Sequence, residues 1–297
     1  MARFDLYQEV TDMIVAELEK GVAPWVRPWQ SLGKDSGGLP YNGYTARAYR
    51  GVNVWILIVT AGNRGYDDPR WFTFKQANLL GARIKKGERS VHVTFWRDLT
   101  VEEQHPETGV RTERTIPLLR SYSVFNAVQC EGVPKLYVPP DREPSLRYAE
   151  LQGLVGNTGA KVQHGGNMAY YAVTDDRIQM PKLVAFLSEE HYWSTMLHEL
   201  THWTGHPARC NRQLANRFHA DAYAMEELIA EIGSAFLCAH CRIDGRLQHA
   251  AYIDHWLKVL RSDKRAIFVT STRAQQAADY LTERLATQPG AEQQEAA

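Results

Sequence analysis

The residues with the clearest capacity for chemistry lie in one stretch, from Thr195 to His206. It contains His198, Glu199 and His202 in the H-E-x-x-H spacing of zinc-dependent hydrolases. Because positions i and i+4 lie on the same face of a helix, both imidazoles can reach one metal ion. The Glu199 carboxylate, beside the first histidine, would then act as general base on a water activated by the metal.

A catalytic zinc site uses three protein ligands and leaves one position for water. The metzincin form of the motif fails here, because position 208 holds Ala where that form has a third His. A downstream glutamate is the alternative, and Glu227 and Glu231 lie four residues apart in an apolar stretch. We expect Glu227 to be the ligand and Glu231 to hold a histidine N–H, although the opposite assignment fits almost as well. The ligand set predicts Zn²⁺, and it also accepts other divalent metals such as Mn²⁺.

Two predicted helices position these groups. Apolar residues surround the first motif, and Gly205 followed by Pro207 marks the end of its helix. The two glutamates belong to a second helix, from Tyr223 to Phe236, where their apolar neighbours favour a buried rather than a solvated face. The sequence leaves open which residue would donate a hydrogen bond to a substrate oxygen; the candidates are His206, His219 and Tyr223.

Composition limits the possible protein classes. The chain has 297 residues, 44% of them hydrophobic, which suits one large or two ordinary domains with packed cores. A net charge of zero argues against a protein that seeks polyanions with its whole surface. The charge is uneven, however, because residues 1–130 carry 17 Lys and Arg against 14 Asp and Glu. This excess is a weak indication of a nucleic-acid surface in the first half.

The cysteines and the hydropathy point to a reduced, cytoplasmic protein. Four cysteines in a chain of this length do not form a disulfide framework. Cys238 and Cys241 are better interpreted as a buried, reduced pair than as half of a zinc site. No apolar run approaches the ~20 residues that a membrane span needs, and no leader peptide is recognised.

Aromatic and basic residues are concentrated in the first hundred positions, which hold five of the eight tryptophans. Flat rings beside cationic groups are typical of surfaces that bind single-stranded nucleic acid. For Trp25 and Trp29, a Trp-Pro clasp that closes a small core is the alternative. The predicted DNA-contact residues are Trp25, Arg27, Trp29, Arg47, Tyr49, Arg50, Lys75, Arg83, Lys85, Lys86, Arg89 and Trp96.

These patterns predict an α+β protein of two domains. Residues 1–130 form the DNA-binding domain, and the proline-rich residues 131–145 form a linker. Residues 146–287 form a mainly helical metallopeptidase domain with a small sheet, and 288–297 are a polar tail. Arg177–Met180 is predicted to be a short edge strand, able to hold an extended peptide by strand addition.

The order of several motifs resembles that of the ArdC family of antirestriction proteins, carried by conjugative plasmids. The motifs are Pro28-Trp29, Tyr49-Arg50-Gly51-Val-Asn53, Trp71-x-Thr-Phe-Lys75-Gln-Ala, Arg83-x-Lys-Lys-Gly87-Glu, Val124-Phe-Asn126-x-x-Gln129, the segment from His198 to His206, and Glu226-Glu-Leu-Ile-Ala-Glu231. The resemblance implies an N-terminal domain that binds single-stranded DNA and a C-terminal zincin-like metallopeptidase domain. It also implies protection of incoming plasmid DNA from host restriction.

Three functions remain open at this point. The protein is a DNA-binding antirestriction factor whose metal site is structural or vestigial, a DNA-directed metallopeptidase similar to the SprT-like crosslink-repair proteases, or an inhibitor that binds a restriction enzyme. The predicted partners are therefore single-stranded DNA and a host protein, either a substrate or a restriction enzyme.

Overall fold

The computed structural model describes residues 5–25, 39–104, 111–136, 144–212, 220–243 and 252–286. Within these ranges the side chains of 96–104, 111–119, 144–146, 220 and 285–286 are not described. The predicted polar tail, 288–297, and residues 137–143 of the predicted linker lie outside the described residues.

The described residues form an α+β fold, as predicted. The helices are α1 (Leu6–Glu19), α2 (Val52–Arg64), α3 (Phe74–Leu79), α4 (Pro144–Thr158), α5 (Glu189–Thr204), α6 (Ala220–Cys241), α7 (Ile253–Ser262) and α8 (Ala266–Ala286). The strands are β1 (Tyr41–Asn42), β2 (Arg70–Thr73), β3 (Arg83–Ile84), β4 (Val91–Gln104), β5 (Arg111–Asn126), β6 (Cys130–Glu131), β7 (Lys161–His164), β8 (Tyr170–Ala172) and β9 (Arg177–Met180).

The chain folds into two compact units whose limits differ from the predicted division at residue 130. The first unit comprises Met1–Pro40, Tyr49–Pro69 and Leu136–Ala297, and the second comprises Tyr41–Ala48 and Arg70–Lys135. The first two helices, α1 and α2, therefore belong to the same unit as the C-terminal helices, against which they pack. The physical reason is their apolar surface, which the aromatic core of the first unit buries.

That core is built around three tryptophans from distant parts of the chain. Trp55 of α2 stacks on Phe236 of α6, with ring centroids 5.0 Å apart and planes within 11°. Trp25 packs edge-on against both Trp55, at 6.1 Å, and Trp256 of α7, at 5.5 Å. Trp55 thus connects α2 to α6, the helix that carries the predicted metal-ligating glutamates.

The small sheet of the first unit has the order β7-β9-β8. Strand β9 pairs in parallel with β7 and antiparallel with β8, so it is central. The prediction of an edge strand at Arg177–Met180 was wrong. The alternating burial of this segment, with Ile178 and Met180 fully buried, fits a paired strand with one face on the core. The edges of this sheet are β7 and β8.

The two helices of the predicted site are held together by small side chains. Ser188 caps α5 by accepting a hydrogen bond from the backbone N–H of His191 at 3.3 Å. Helix α5 ends at Thr204 with Gly205 as its C-cap, as predicted. The Ser234 hydroxyl of α6 donates to the Ser194 carbonyl of α5 at 3.1 Å.

Gly233 lets α6 approach α5 closely. A Cβ at this position would lie 2.6 Å from Cγ2 of Thr201, and Thr201 is fully buried. We therefore expect Gly233→Ala to lower the free energy of unfolding by about 1–3 kcal/mol, through overpacking. The matched control is Gly62→Ala on α2, where a Cβ would meet nothing within 4 Å, and it should be neutral or slightly stabilising. Equal thermal melting curves for the two variants would contradict this account.

The second unit contains a four-stranded sheet of order β1-β2-β5-β4 and the short pair β3-β6. Strands β4 and β5 form one long antiparallel hairpin, from Val91 paired with Val124 to Gln104 paired with Arg111. Buried in a separate cluster beneath α3 are Phe72, Ala77, Ala82, Ala127 and Cys130.

Two further expectations concern cysteines and membranes. All four cysteines lie in the described part of the chain as reduced thiols, and Cys238 and Cys241 are buried. In the part of the chain that the structure describes, no helix combines the length and apolar character that a membrane crossing requires.

Candidate functional site

Helices α5 and α6 bring three predicted ligands together. His198 and His202, one turn apart on α5, have ring centroids 4.8 Å apart and nearly perpendicular planes. Their Nε2 atoms lie 3.1 Å from each other. The Glu227 carboxylate of α6 lies 3.6 Å from the Nε2 of each histidine. One donor atom from each of these buried residues lies within 4.8 Å of the others, close enough to share one metal ion.

The second nitrogen of each imidazole faces a different carboxylate. Nδ1 of His198 lies 3.4 Å from Oε1 of Glu231, and Nδ1 of His202 lies 3.1 Å from Oε1 of Glu226. A carboxylate at this nitrogen fixes the tautomer and the ring orientation, so that Nε2 is presented to a metal. Glu231 therefore lies in a supporting position, while Glu227 faces the two Nε2 atoms.

Glu226 is itself held by a buried arginine. Nε and Nη2 of Arg212 donate to the two oxygens of Glu226 at 3.0 and 2.8 Å. Arg212 also donates to the Thr204 hydroxyl at 2.8 Å and the Thr201 carbonyl at 2.6 Å, both on α5. The chain of contacts from Arg212 through Glu226 to His202 is almost entirely shielded from water, so each hydrogen bond in it acts at low dielectric.

The protonation of the cluster reflects burial and this geometry. Burial alone lowers the pKa of His202, but its hydrogen bonds to Glu226 and Glu227 outweigh burial and raise the pKa to about 10. Burial raises the pKa of the Glu227 carboxyl, yet hydrogen bonds from both histidines bring the pKa below its usual range. Burial raises the pKa of Glu231 to about 8. Glu226 and Glu227 thus favour the protonated, cationic form of His202.

The donor set fits a divalent cation. Four buried glutamates, at positions 199, 226, 227 and 231, accompany one buried guanidinium, that of Arg212. Such an excess of carboxyl groups in a dry site favours a cation that neutralises them. Two imidazoles and a carboxylate suit Zn²⁺ and also Mn²⁺.

Glu199 and Tyr223 lie beside this ligand set. Glu199 is buried on α5 next to His198, and its charge acts on the nearby Glu231. Burial and hydrogen bonds to Tyr252 and Glu227 raise the pKa of Tyr223, so its phenol keeps a proton to donate. Nδ1 of His206 accepts a hydrogen bond from the backbone N–H of Ala208. His219, the third candidate donor, lies outside the described residues.

The turn after α5 is braced by Arg209. Its guanidinium lies 3.8 Å from the ring centroid of Trp203, and its Nε donates to the Trp203 carbonyl at 2.6 Å. It also forms an ion pair with Asp176, a residue just before β9. The pKa of Asp176 is lowered to about 2, chiefly by its hydrogen bond from Arg209. These contacts tie the C-terminal end of the metal-site helix to the small sheet.

The structure divides the predicted DNA-contact residues between the two units. Trp25 is only 3% exposed and packs in the core of the first unit, so its ring faces are closed to bases and the clasp interpretation replaces the platform. Tyr49 is half-buried in the first unit, where the exposed Arg50 forms an ion pair with Asp279 of α8. Arg27 and Trp29 lie outside the described residues, as does the side chain of Trp96. Exposed in the second unit are Arg47, Lys75, Arg83, Lys85, Lys86 and Arg89.

Two residues of the metal centre escaped the reasoning from spacing. Glu226 pairs with His202, which is on another helix, and spacing along one helix does not show which residues of two helices meet. Arg212 lies in a polar stretch with no periodic pattern. A glutamate doublet in an apolar helix was the available signal, since a second buried carboxylate needs its own partner.

Two family models match the chain. Residues 149–273 match a family described as a zincin-like metallopeptidase, and residues 4–125 match the N-terminal domain of the anti-restriction factor ArdC. Among solved structures, the antirestriction protein ArdC from plasmid R388 is similar in its metal-free form. That form has a TM-score of 0.80 and 40% identity, over 95% of this chain and 98% of that one. The Mn(II)-bound form of the same protein gives a TM-score of 0.78 over 96% of this chain and 99% of that one, also at 40% identity.

Curated relatives extend the comparison. The uncharacterized protein y4eC of Sinorhizobium fredii is 37% identical over 93% of this chain and 91% of its own length. A DNA primase TraC of Escherichia coli is 33% identical over 93% of this chain, but the match spans only 27% of the primase. The resemblance noted in the motifs is therefore confirmed along nearly the whole chain.

Proposed function

Because this chain belongs to the ArdC family of antirestriction proteins, we propose that it binds single-stranded DNA and shields incoming conjugative plasmid DNA from host restriction in the cytoplasm. The observation that carries the proposal is the uneven charge of the two units. The second unit has twelve Lys and Arg against seven Asp and Glu, whereas the first has 22 against 27. A basic surface of this kind attracts phosphates with little sequence preference.

The metal centre supports a second candidate function, metal-dependent peptide hydrolysis. A divalent ion held by His198, His202 and Glu227 would supply Lewis-acid chemistry for a water and a peptide carbonyl. Glu199 would accept the proton of the attacking water, and the Tyr223 phenol would donate to the carbonyl oxygen as charge develops on it. The substrate would be a protein associated with the incoming DNA or a restriction enzyme.

Plasmid transfer into a restricting recipient tests the proposal and separates the two candidates. The chain should raise transfer into restricting cells relative to a matched strain without restriction. Glu199→Gln, expressed at the same level, should protect as well as the unaltered chain, because shielding depends on the DNA surface. It should also retain its metal, since the ligands are unchanged. Loss of protection with metal and DNA affinity intact would establish the peptidase function instead.

A further inference from the structure

The base of the β4–β5 hairpin carries two exposed aromatic side chains. Phe95 is 54% and Tyr122 is 46% exposed, and their rings meet edge to face with centroids 6.2 Å apart. In the hairpin register Val93 is paired with Tyr122, and Phe95 with Arg120. Directly paired residues point to the same face of a hairpin, and so do residues two positions apart along one strand. The two rings and the exposed Arg120 therefore lie on one side of the hairpin.

The same face is buried closer to the core of the unit. Val91, Val93 and Val124 lie on this face on the side of the rings nearer the core, and each is at most 8% exposed. The apolar surface of the hairpin therefore continues past the core into solvent. Scattered exposed apolar residues are normal, but two touching aromatic rings on a sheet face with a cation beside them form a surface suited to a ligand.

The exposed aromatic rings of the second unit are Tyr44, Phe74, Phe95 and Tyr122, and Phe95 and Tyr122 lie in contact with each other. Every tryptophan whose side chain is described is buried: Trp25, Trp55, Trp71, Trp193, Trp203 and Trp256. Stacking by the described tryptophans is therefore ruled out, and Phe95 and Tyr122 offer open rings in the basic unit. Its excess of five positive charges complements a phosphate backbone.

We propose that Phe95 and Tyr122 stack against unpaired bases of single-stranded DNA while Arg120 contacts an adjacent phosphate. This assignment rests on the proposed single-strand binding and names the residues that perform it. Unpaired bases expose both π-faces, whereas bases in a duplex present only their edges. The surface formed by Phe95 and Tyr122 therefore discriminates single-stranded DNA from duplex DNA. The exposed lysines and arginines of the unit bind both forms through their phosphates.

The test measures affinity of the full chain for a fluorescent 20-nucleotide oligothymidine as a function of salt. The Phe95→Leu/Tyr122→Leu double variant keeps the apolar volume but removes both rings, and it should weaken binding by roughly 10-fold to 100-fold. Its slope of log affinity against log salt should stay unchanged, because no charge is lost. Arg120→Gln should make that slope shallower by about 0.7, the value for one phosphate contact on a single strand.

The controls separate this inference from the proposed function. Phe95→Tyr/Tyr122→Phe retains both rings and should bind as the unaltered chain does. Leu79→Ala removes another exposed apolar side chain of the same unit, 59% exposed, and should also leave affinity unchanged. If the unaltered chain does not bind oligothymidine, the proposed function fails. If it binds but the double leucine variant binds equally well, or loses duplex affinity to the same extent, only the stacking assignment is overturned.

Discussion

Replacing Glu227 with Gln should lower the affinity of the full chain for Mn²⁺ or Zn²⁺ by more than about 100-fold, whereas Glu231→Gln should lower it by about 10-fold to 100-fold. The difference follows from geometry. Glu227 lies 3.6 Å from both Nε2 atoms, while Glu231 approaches only Nδ1 of His198. The first variant removes a ligand, and the second removes the group that orients one.

Competition with a chromophoric chelator measures both affinities on protein stripped of metal. Glu283→Gln, at an exposed position of α8, is the control and should leave affinity unchanged. A larger loss in Glu231→Gln than in Glu227→Gln would reverse the assignment of ligand and support, the alternative that spacing alone left open.

Arg212→Met should lower the free energy of unfolding by about 3–5 kcal/mol, because it removes the guanidinium that pairs with the buried Glu226 carboxylate. The lost contacts include two hydrogen bonds to Glu226 and one each to Thr201 and Thr204. Urea denaturation of the metal-free protein measures the change. The control is Arg50→Met, whose ion pair with Asp279 is exposed and should contribute about 0–1 kcal/mol.

A double variant separates the two roles of this network. Arg212→Met/Glu226→Leu removes both charges, so stability should largely recover, since an apolar pair of similar volume is often neutral. Metal affinity should remain lowered in the double variant, because Nδ1 of His202 has lost its acceptor. If metal affinity recovers together with stability, Glu226 acts through folding alone and does not position His202.

The parts of the metal centre that lie within a single helix could be predicted from helical periodicity. The spacing of His198 and His202 fixes a shared face within α5, and the spacing of Glu227 and Glu231 does the same within α6. The relation between the helices depends on tertiary packing at Gly233 and Ser234, which no local pattern encodes. For this reason the sequence left the two glutamates interchangeable and gave no role to Glu226 or Arg212.

For the aromatic residues, the local sequence does not predict whether a side chain is buried or exposed. Trp25 beside arginine and proline looks the same in sequence whether it stacks on bases or closes a core, and only its contacts with Trp55 and Trp256 decide. Phe95 and Tyr122 lie in ordinary alternating strands, where their exposure depends on how far the hairpin extends beyond the sheet. Strand β9 was predicted to lie at an edge, because its pairing on both sides is set by tertiary structure. One partner, β7, precedes it by about a dozen residues, and the other, β8, is its hairpin neighbour.

The packing of α2 against α6 has a consequence for synthesis of the protein. Helix α2 and its tryptophan are made early, but the surface of α6 that covers them follows about 180 residues later, which at ribosomal rates is roughly 10–40 s. During that interval the nearly continuous apolar run from Val52 to Ala61 has no permanent cover. The nascent chain therefore presents an apolar segment that chaperones can bind, and the metal centre can form only after α6 has emerged.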